Sequence, residues 1–385
     1  MTHRLLRHLL MGLVVLGSLA TFRLLVGLAT QHGSGRLPFT DFMVFWASGP
    51  VVREHGLPAL FDTTVFTAYQ NALFAEHLGK PLRIRPWLYP PSFLWIASTF
   101  SWLPLYLSAT VMQLGGVAAL WLATGRQTGR WLLVLTSPAV GALLIPGQLT
   151  AWLAAGMVGG CMLLGTRPVL AGIVWGLLSV KPHLFALIPI ALLAAKAWRA
   201  LTACLLTALV LIGVSLVLYG GTAWILWLDR STGAAQVVLR HYDRYADAMG
   251  SILDSVRTLG AGNTVAWAAQ SLALVGAGCS VWWVFRRSTA LAPRILILTS
   301  ATLVASPYWL AYDLILPTLA IAVAAREDGD APSVPGESVV WLLAWTLPYA
   351  MTLMRGLYGL PIGPLVMVAL WLVTLTRRDA GLRPA

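Results

Sequence analysis

The sequence contains little charge. Charged residues make up 10% of the chain, whereas ordinary soluble domains carry about 25%. Only 14 of the 385 residues are acidic, while 58% are hydrophobic and the mean hydropathy is +0.77. A soluble core cannot enclose so much apolar surface, so this composition excludes an ordinary soluble globular protein.

Cysteines and cofactor-binding motifs are also scarce. Cys161, Cys204 and Cys279 lie within apolar runs without a partner at metal-ligand spacing, which indicates neither a disulfide framework nor a zinc site. The chain has no glycine-rich phosphate loop, no dinucleotide-binding glycine fingerprint and no His-Glu-x-x-His motif. We therefore predict no cofactor, and a divalent metal is not indicated.

Long apolar runs are what the chain has instead. They recur from residue 5 to residue 376, and runs of roughly 15–20 apolar residues predict membrane helices. The 18 tryptophans and ten tyrosines fit the aromatic belts at membrane interfaces. We expect an all-α polytopic membrane protein with roughly ten to twelve transmembrane helices. Residues 1–385 are predicted to form a single integral-membrane domain.

The basic residues predict an orientation and explain the net charge of +12. Because positive residues favour the cytoplasmic side, the loops 31–87 and 220–262 are expected outside, with short amphipathic helices. Membrane lipids, rather than nucleic acid, are the expected partners of this charge. Two crossings within 88–124 would place Arg126 and Arg130 outside, so either one segment there is re-entrant or the rule fails locally. The cytoplasmic markers are Arg126, Arg130, Lys196, Arg199, Arg286, Arg287, Arg294, Arg326, Arg377 and Arg378.

The N-terminus resembles a signal peptide in part. Residues 1–8 are basic, and 17–20 could serve as a cleavage site before Thr21. Apolar sequence resumes at Leu24, beyond Arg23, which favours an uncleaved first helix with a cytoplasmic N-terminus. We therefore expect a multi-pass protein of a bacterial-type inner or plasma membrane.

Asp41 is the first candidate catalytic residue. It follows the first apolar run and precedes the aromatic stretch Phe42 to Trp46. Ionisable groups near hydrocarbon are costly and are usually functional. A carboxylate in a cleft, within reach of a hydroxyl group, can act as a general base. The alternatives are a helix cap, for which Asp is a preferred residue, and simple solvation.

Arginine and aromatic residues follow in the segment 83–91. Guanidinium groups match phosphate oxygens in geometry and charge, so Arg85, together with Tyr89, is a candidate phosphate clamp. The alternative is an interfacial anchor that precedes a helix beginning at Pro90-Pro91, because proline is favoured in a first turn.

Lys181 is one of only three lysines, and it lies between two apolar runs. A buried ammonium group requires an anionic partner, so Lys181, with His183 nearby, is a candidate for binding a lipid phosphate. The alternative is a lysine that snorkels from a helix end to the interface.

Asp313 is an acid amid apolar segments, and three roles are open to it. It could orient the base, bind hydroxyl groups or hold Lys181; the alternative is an ion pair with a structural arginine. Gln148 is a weaker polar intrusion, in Pro146-Gly147-Gln148. Arg240 and His241 could bind a phosphate or could belong to a solvated helix face, and Ser251 is a candidate cap.

Several of these motifs together resemble glycosyltransferase family 87, within the GT-C superfamily of polytopic glycosyltransferases. At the Ser-Pro motif the family often continues with a histidine or another polar residue, where this chain has Tyr308-Trp309, so no role is carried over there. The matching residues, in family order, are 41–46, Gly56, Leu60-Phe61-Asp62, Gln70, Tyr89-Pro90-Pro91, Pro146-Gly147-Gln148, Lys181-Pro182, Gly250-Ser251, Ser306-Pro307 and Tyr312-Asp313.

The resemblance implies a GT-C fold and an inverting transfer on the extracytoplasmic face. The donor would be a polyprenyl-phosphate-linked hexose, most often mannose, and the acceptor a lipid- or glycan-linked hydroxyl. It maps the catalytic base onto Asp41. The residues expected to bind the donor phosphate or sugar are Arg85, Tyr89, Gln148, Lys181, His183, Arg240, His241, Tyr312 and Asp313.

Two other classes remain open from the sequence. A lipid or solute transporter, or a flippase without transferase activity, would share the apolar runs, although the chain lacks the internal repeat found in many transporters. A non-catalytic membrane assembly partner would share them too. In that case Asp41→Asn would leave sugar transfer unchanged.

Overall fold

The structure of the protein is a computed structural model that describes residues 39–76, 78, 81–82, 84–241, 249–327 and 334–377. Within these ranges, the side chains of 231–241 and 326–327 are not described. The predicted first membrane helix at 5–30 and Arg83 lie outside the described residues.

Most of the described chain is helical. It is 80% helical, and the described residues contain no strand, only an isolated antiparallel bridge between Met249 and Leu310. The predicted all-α class is confirmed. The α-helices are α1 Thr40–Phe61, α2 Thr63–Leu73, α3 Pro91–Thr99, α4 Leu105–Ala123, α5 Thr128–Leu135, α6 Pro138–Leu144, α7 Thr150–Leu163, α8 Pro168–Leu177, α9 Pro182–Phe185, α10 Ile188–Ala194, α11 Trp198–His241, α12 Ile252–Thr258, α13 Asn263–Arg287, α14 Leu291–Ala305, α15 Ile315–Glu327, α16 Glu337–Tyr358 and α17 Gly363–Leu375. Short 3₁₀ helices lie at Phe100–Trp102, Leu178–Val180 and Ala311–Leu314.

Three described helices are long and apolar enough to cross a membrane: α4, the Trp198–Arg230 part of α11, and α13. The protein is therefore an all-α polytopic membrane protein. The total of ten to twelve spans and the GT-C arrangement stay predictions. Shorter apolar helical stretches lie at Thr150–Leu163, Pro168–Val180, Pro182–Ala194, Leu291–Ala305, Ala311–Ala325 and Gly363–Leu375.

The segment 88–104 does not form a helix of spanning length. Helix α3 has nine residues, with Pro91 in its first turn, and a 3₁₀ turn follows. At 1.5 Å per residue α3 is about 14 Å long, roughly half of the ~30 Å hydrocarbon layer. Because α4 is a full-length apolar helix, 88–104 is the better candidate for the re-entrant segment.

The described part of the first predicted outer loop folds into α1 and α2, and α1 itself is kinked. Helix α1 kinks at Gly56, whose φ of 77° favours glycine, and Pro58 follows in the next turn. The carboxylate of Asp62 then caps α2 by accepting bonds from Thr64 N and Val65 N, each at 3.0 Å.

The second predicted outer loop packs against the first. Helix α11 kinks at Gly220, which has a φ of 67°, and continues as a helix to His241. Beyond the kink, Trp227 Nε1 donates to the carbonyl of Leu88 at 3.2 Å. Arg230 pairs with Asp62 at 3.5 Å, an exposed contact that contributes little free energy but marks the two segments as neighbours.

The last two helices are joined by a buried ion pair. Glu337, in the first turn of α16, pairs at 2.6 Å with Arg377, which follows α17. Both side chains are fully buried, and the Arg377 guanidinium also lies 6.0 Å from the centre of the Trp341 ring. A buried pair is a poor source of net stability, but losing one partner leaves an uncompensated charge.

Candidate active site

The start of α1 places Asp41 against a distant turn. Asp41 N and Phe42 N donate to the carbonyl of Pro146 at 2.9 and 3.1 Å, and Phe39 N donates to Ile145 O at 2.7 Å. Among the described residues no side chain caps this helix, and the carbonyl groups of the 145–146 turn satisfy its first N–H groups. Phe39 adopts a φ of 71°, an uncommon conformation for a residue with a side chain.

Gly147 allows the turn to approach α1 this closely. Its φ is 78°, and a Cβ atom added there would lie 2.8 Å from Phe42 Cβ. Both the backbone conformation and the contact therefore require glycine. The turn delivers the side chain of Gln148 to the carboxylate of Asp41.

Two polar side chains hold the Asp41 carboxylate. Gln148 Nε2 donates to Asp41 Oδ2 at 2.6 Å, and Arg85 Nη1 lies 3.4 Å from Asp41 Oδ1. The side chains of Asp41 and Arg85 remain 12% and 13% exposed. Gln148 Oε1 is buried without a hydrogen-bond partner among the described residues. We call these three residues the Asp41 site; its carboxylate is oriented but still accessible.

Helix α2 fixes the backbone of Arg85. Arg85 N donates to Thr67 Oγ1 at 2.9 Å, and Gln70 Nε2 donates to Arg85 O at 3.0 Å. Asn71 adds two bonds to the backbone of Leu82, at 2.6 and 3.1 Å. The sequence indicated Gln70 only through the family resemblance, and it did not indicate Thr67 or Asn71, because polar residues are common in such a loop.

A second ion pair joins Lys181 to Asp313. Lys181 Nζ lies 2.6 Å from Asp313 Oδ1, and the two side chains are 5% and 0% exposed. Thr150 Oγ1 donates to Asp313 Oδ1 at 3.3 Å, and Leu310 N donates to Asp313 Oδ2 at 3.0 Å. Lys181 is therefore not a snorkelling residue. Asp313 holds Lys181, one of the roles that the sequence left open.

Tyr89, in the connector before α3, is influenced by both carboxylates. Its phenol interacts electrostatically with Asp313 and with Asp41. The side chain is partly accessible. Tyr89 is therefore a hydroxyl-bearing aromatic residue near both acids.

The remaining predicted residues divide into two groups. His183 Nε2 is buried without a hydrogen-bond partner in the described part of the chain, and the imidazole lies 6.1 Å from the Tyr308 ring. Tyr312 interacts electrostatically with Asp41, Asp313 and Tyr89, and its ring lies 5.1 Å from Lys181 Nζ. Arg240 and His241 end α11, but their side chains are not described.

Comparison with protein families gives one match. The model of glycosyltransferase family 87 matches residues 87–307, which is more than half of the chain. The chain belongs to glycosyltransferase family 87. This membership indicates a membrane glycosyltransferase, as the resemblance implied. Curated proteins and solved structures give no match.

The family 87 match covers only part of the site. Tyr89, Gln148 and Lys181 lie within the matched residues, whereas Asp41, Arg85 and Asp313 lie outside them. Asp41 is therefore a candidate catalytic base because of its contacts with Gln148 and Arg85, and not because of the family match.

The second predicted outer loop of this family 87 protein supports the Lys181–Asp313 pair. Gly250 N donates to Trp309 O at 3.2 Å, and a Cβ atom at Gly250 would overlap the Trp309 ring. Ser251 then caps α12 by accepting from Asp254 N at 3.1 Å, as predicted. Because Leu310 follows directly and bonds Asp313, this glycine approach positions the second acid.

Arg355 and Gln270 are supporting residues that sequence reasoning missed. Arg355 pairs with Asp254 and donates to Met249 O at 3.3 Å, beside the Met249–Leu310 bridge. Gln270 accepts from Leu253 N at 3.0 Å and donates to the carbonyls of Val304 and Ala305, at 3.1 and 2.9 Å. In the sequence, the only indication of either residue is that it interrupts an apolar run.

Proposed function

We propose that this family 87 protein transfers a hexose, with mannose the expected sugar, from a polyprenyl-phosphate donor to a lipid- or glycan-linked hydroxyl. The observation that carries the proposal is the Asp41 site: an accessible carboxylate, oriented at 2.6 Å by Gln148, with a guanidinium 3.4 Å away. The site combines a proton acceptor with a phosphate-binding cation, which are the two groups such a transfer needs.

Asp41 is the proposed general base. The acceptor hydroxyl gives its proton to the Asp41 carboxylate while its oxygen attacks the anomeric carbon of the donor. The bond between that carbon and the phosphate oxygen breaks, and its electron pair leaves with the phosphate. Because attack and departure occur on opposite faces, the anomeric configuration inverts, so a β-linked donor yields an α-glycoside.

Arg85 is the proposed partner of the leaving phosphate. Preorganised charge at the point where charge develops is usually the largest catalytic contribution, and a phosphate that is stabilised by a cation needs no proton to leave. Asp313 fixes the position of Lys181 at 2.6 Å, and the ammonium group is proposed to contact the donor phosphate as a second cation. Gln148 Oε1, Tyr89, His183 and Tyr312 are proposed to bind sugar hydroxyl groups.

Arg85 and Lys181 are also the reason why no cofactor is expected. We propose that transfer requires neither a cofactor nor a divalent metal, because Arg85 and Lys181 provide positive charge. The active site is proposed to face the extracytoplasmic side of a bacterial-type inner or plasma membrane, and residues 1–385 to form one integral-membrane GT-C unit. Activity that persists in EDTA is the expected result.

The test is reconstitution of the reaction. Purified protein in detergent is incubated with labelled polyprenyl-phosphate-mannose and a panel of lipid-linked glycan acceptors, with polyprenyl-phosphate-glucose as the second donor. We expect acceptor-dependent transfer from a mannose donor and an α-configured product by NMR. Transfer only from glucose would correct the sugar, and a β-configured product would contradict inversion. Absence of transfer from either donor, together with lipid flipping by the same protein in proteoliposomes, would contradict the proposal.

A further inference from the structure

The two oxygens of the Asp41 carboxylate are held unequally. Gln148 approaches Oδ2 at 2.6 Å, a short and strong hydrogen bond, whereas Arg85 approaches Oδ1 at 3.4 Å, beyond the usual distance for a charge-assisted bond. The contact with Arg85 is therefore the easier of the two to break. Breaking it would clear one side of Oδ1 for an incoming hydroxyl.

The anchoring of Arg85 allows such a change without movement of the backbone. Thr67 and Gln70 hold the backbone N–H and carbonyl of Arg85, at 2.9 and 3.0 Å. Its side chain is 13% exposed although Nε is buried, so part of the side chain remains accessible. An arginine side chain has several rotatable bonds and carries its fork of donors across a few ångströms from a fixed backbone.

We propose that Arg85 is shared between Asp41 and the donor phosphate, and that phosphate binding draws it away from Asp41. The base is then released for the acceptor hydroxyl only when the donor is in place. This inference rests on the proposed function, and it adds an order of events: donor first, acceptor second. The phosphate is the stronger partner because its oxygens accept a bidentate fork, whereas Asp41 already gives one oxygen to Gln148.

Binding measurements, which need no turnover, test whether Arg85 exchanges its partner Asp41 for the donor phosphate; we call this the exchange. The probe is geranylgeranyl phosphate in detergent, with geranylgeraniol and inorganic phosphate as separate arms that report the chain and the phosphate alone. Calorimetric Kd values are compared for the wild type, Asp41→Asn, Arg85→Gln and the double variant. The matched control is Glu54→Gln, which removes an acid of the same loop that bonds Tyr69.

The exchange predicts that Asp41→Asn binds geranylgeranyl phosphate about two- to fivefold more tightly than the wild type, the range expected for loss of one partly exposed competing ion pair. Glu54→Gln should bind like the wild type. Arg85→Gln should bind more weakly, and adding Asp41→Asn to it should bring no gain. Arg85→Lys should recover part of the affinity.

Two results would overturn the exchange. An unchanged Kd in Asp41→Asn would mean that Asp41 does not compete for Arg85. An equal gain in both backgrounds would mean that Asp41 merely repels the anion. If the wild type binds geranylgeraniol as tightly as the phosphate, the proposed donor class itself fails, which is a separate outcome.

Discussion

At the scale of single residues, Gln148 has the most direct effect on the candidate base. Its amide bond at 2.6 Å sets the direction of the Asp41 carboxylate. Replacement by methionine keeps the length of the side chain but removes the donor. Because a hydrogen bond to a charged group contributes about 1.5–3 kcal/mol, we expect kcat to fall about ten- to hundredfold. Gln127→Met, at an exposed position, should leave kcat unchanged; equal kcat values in both variants would contradict the role.

Thr67 is a positioning residue for Arg85. Thr67→Val removes the acceptor at 2.9 Å for Arg85 N while it preserves the shape of the side chain. We expect the donor KM to rise several-fold, with a smaller change in kcat, because the cation rather than the base is displaced. Steady-state kinetics measure both. Thr64→Val, an exposed change on the same helix, is the control, and a donor KM no higher in Thr67→Val than in this control would sink the idea.

At the scale of elements, the 145–148 turn is the part that brings the site together. Gly147→Ala forces a side chain into a φ of 78° and within 2.8 Å of Phe42 Cβ. The left-handed conformation alone costs about 1–2 kcal/mol, and we expect lower thermal stability together with loss of transfer. Gly159→Ala in α7 meets no atom within 4 Å and should do neither. Full activity of Gly147→Ala would contradict this assignment.

The same turn shows what the sequence could and could not predict. The sequence identified all four polar residues as candidates, because a polar side chain in an apolar run is costly and usually functional. They are Asp41, Gln148, Lys181 and Asp313. Their partners were not identified, because contacts such as Gln148 with Asp41 join segments that are 107 residues apart. The sequence allowed a re-entrant segment within 88–124 but did not show which of the two apolar runs it was, because apolar composition alone does not set the length of a helix such as the nine-residue α3.

At the scale of the whole molecule, the Glu337–Arg377 pair holds α16 against the end of α17. Glu337→Gln leaves Arg377 buried and without its counter-charge, although other contacts remain. Removal of one partner of a buried pair costs about 3–5 kcal/mol, so we expect a clearly lower melting temperature in detergent. Replacing both residues by methionine should recover much of the loss. A melting temperature unchanged by Glu337→Gln would contradict a structural role for the pair.

Asp41 is the proposed base of a sugar transfer, and a comparison of two acid-to-amide variants is the sharpest test of that role. Transfer from labelled polyprenyl-phosphate-mannose is measured for Asp41→Asn and for Asp229→Asn, an exposed acid in the second predicted outer loop. Because general-base catalysis contributes about 10²–10⁴-fold, Asp41→Asn should lose at least about a hundredfold in kcat while still binding geranylgeranyl phosphate. Asp229→Asn should keep its activity. Near-wild-type turnover by Asp41→Asn would show that Asp41 is not the base.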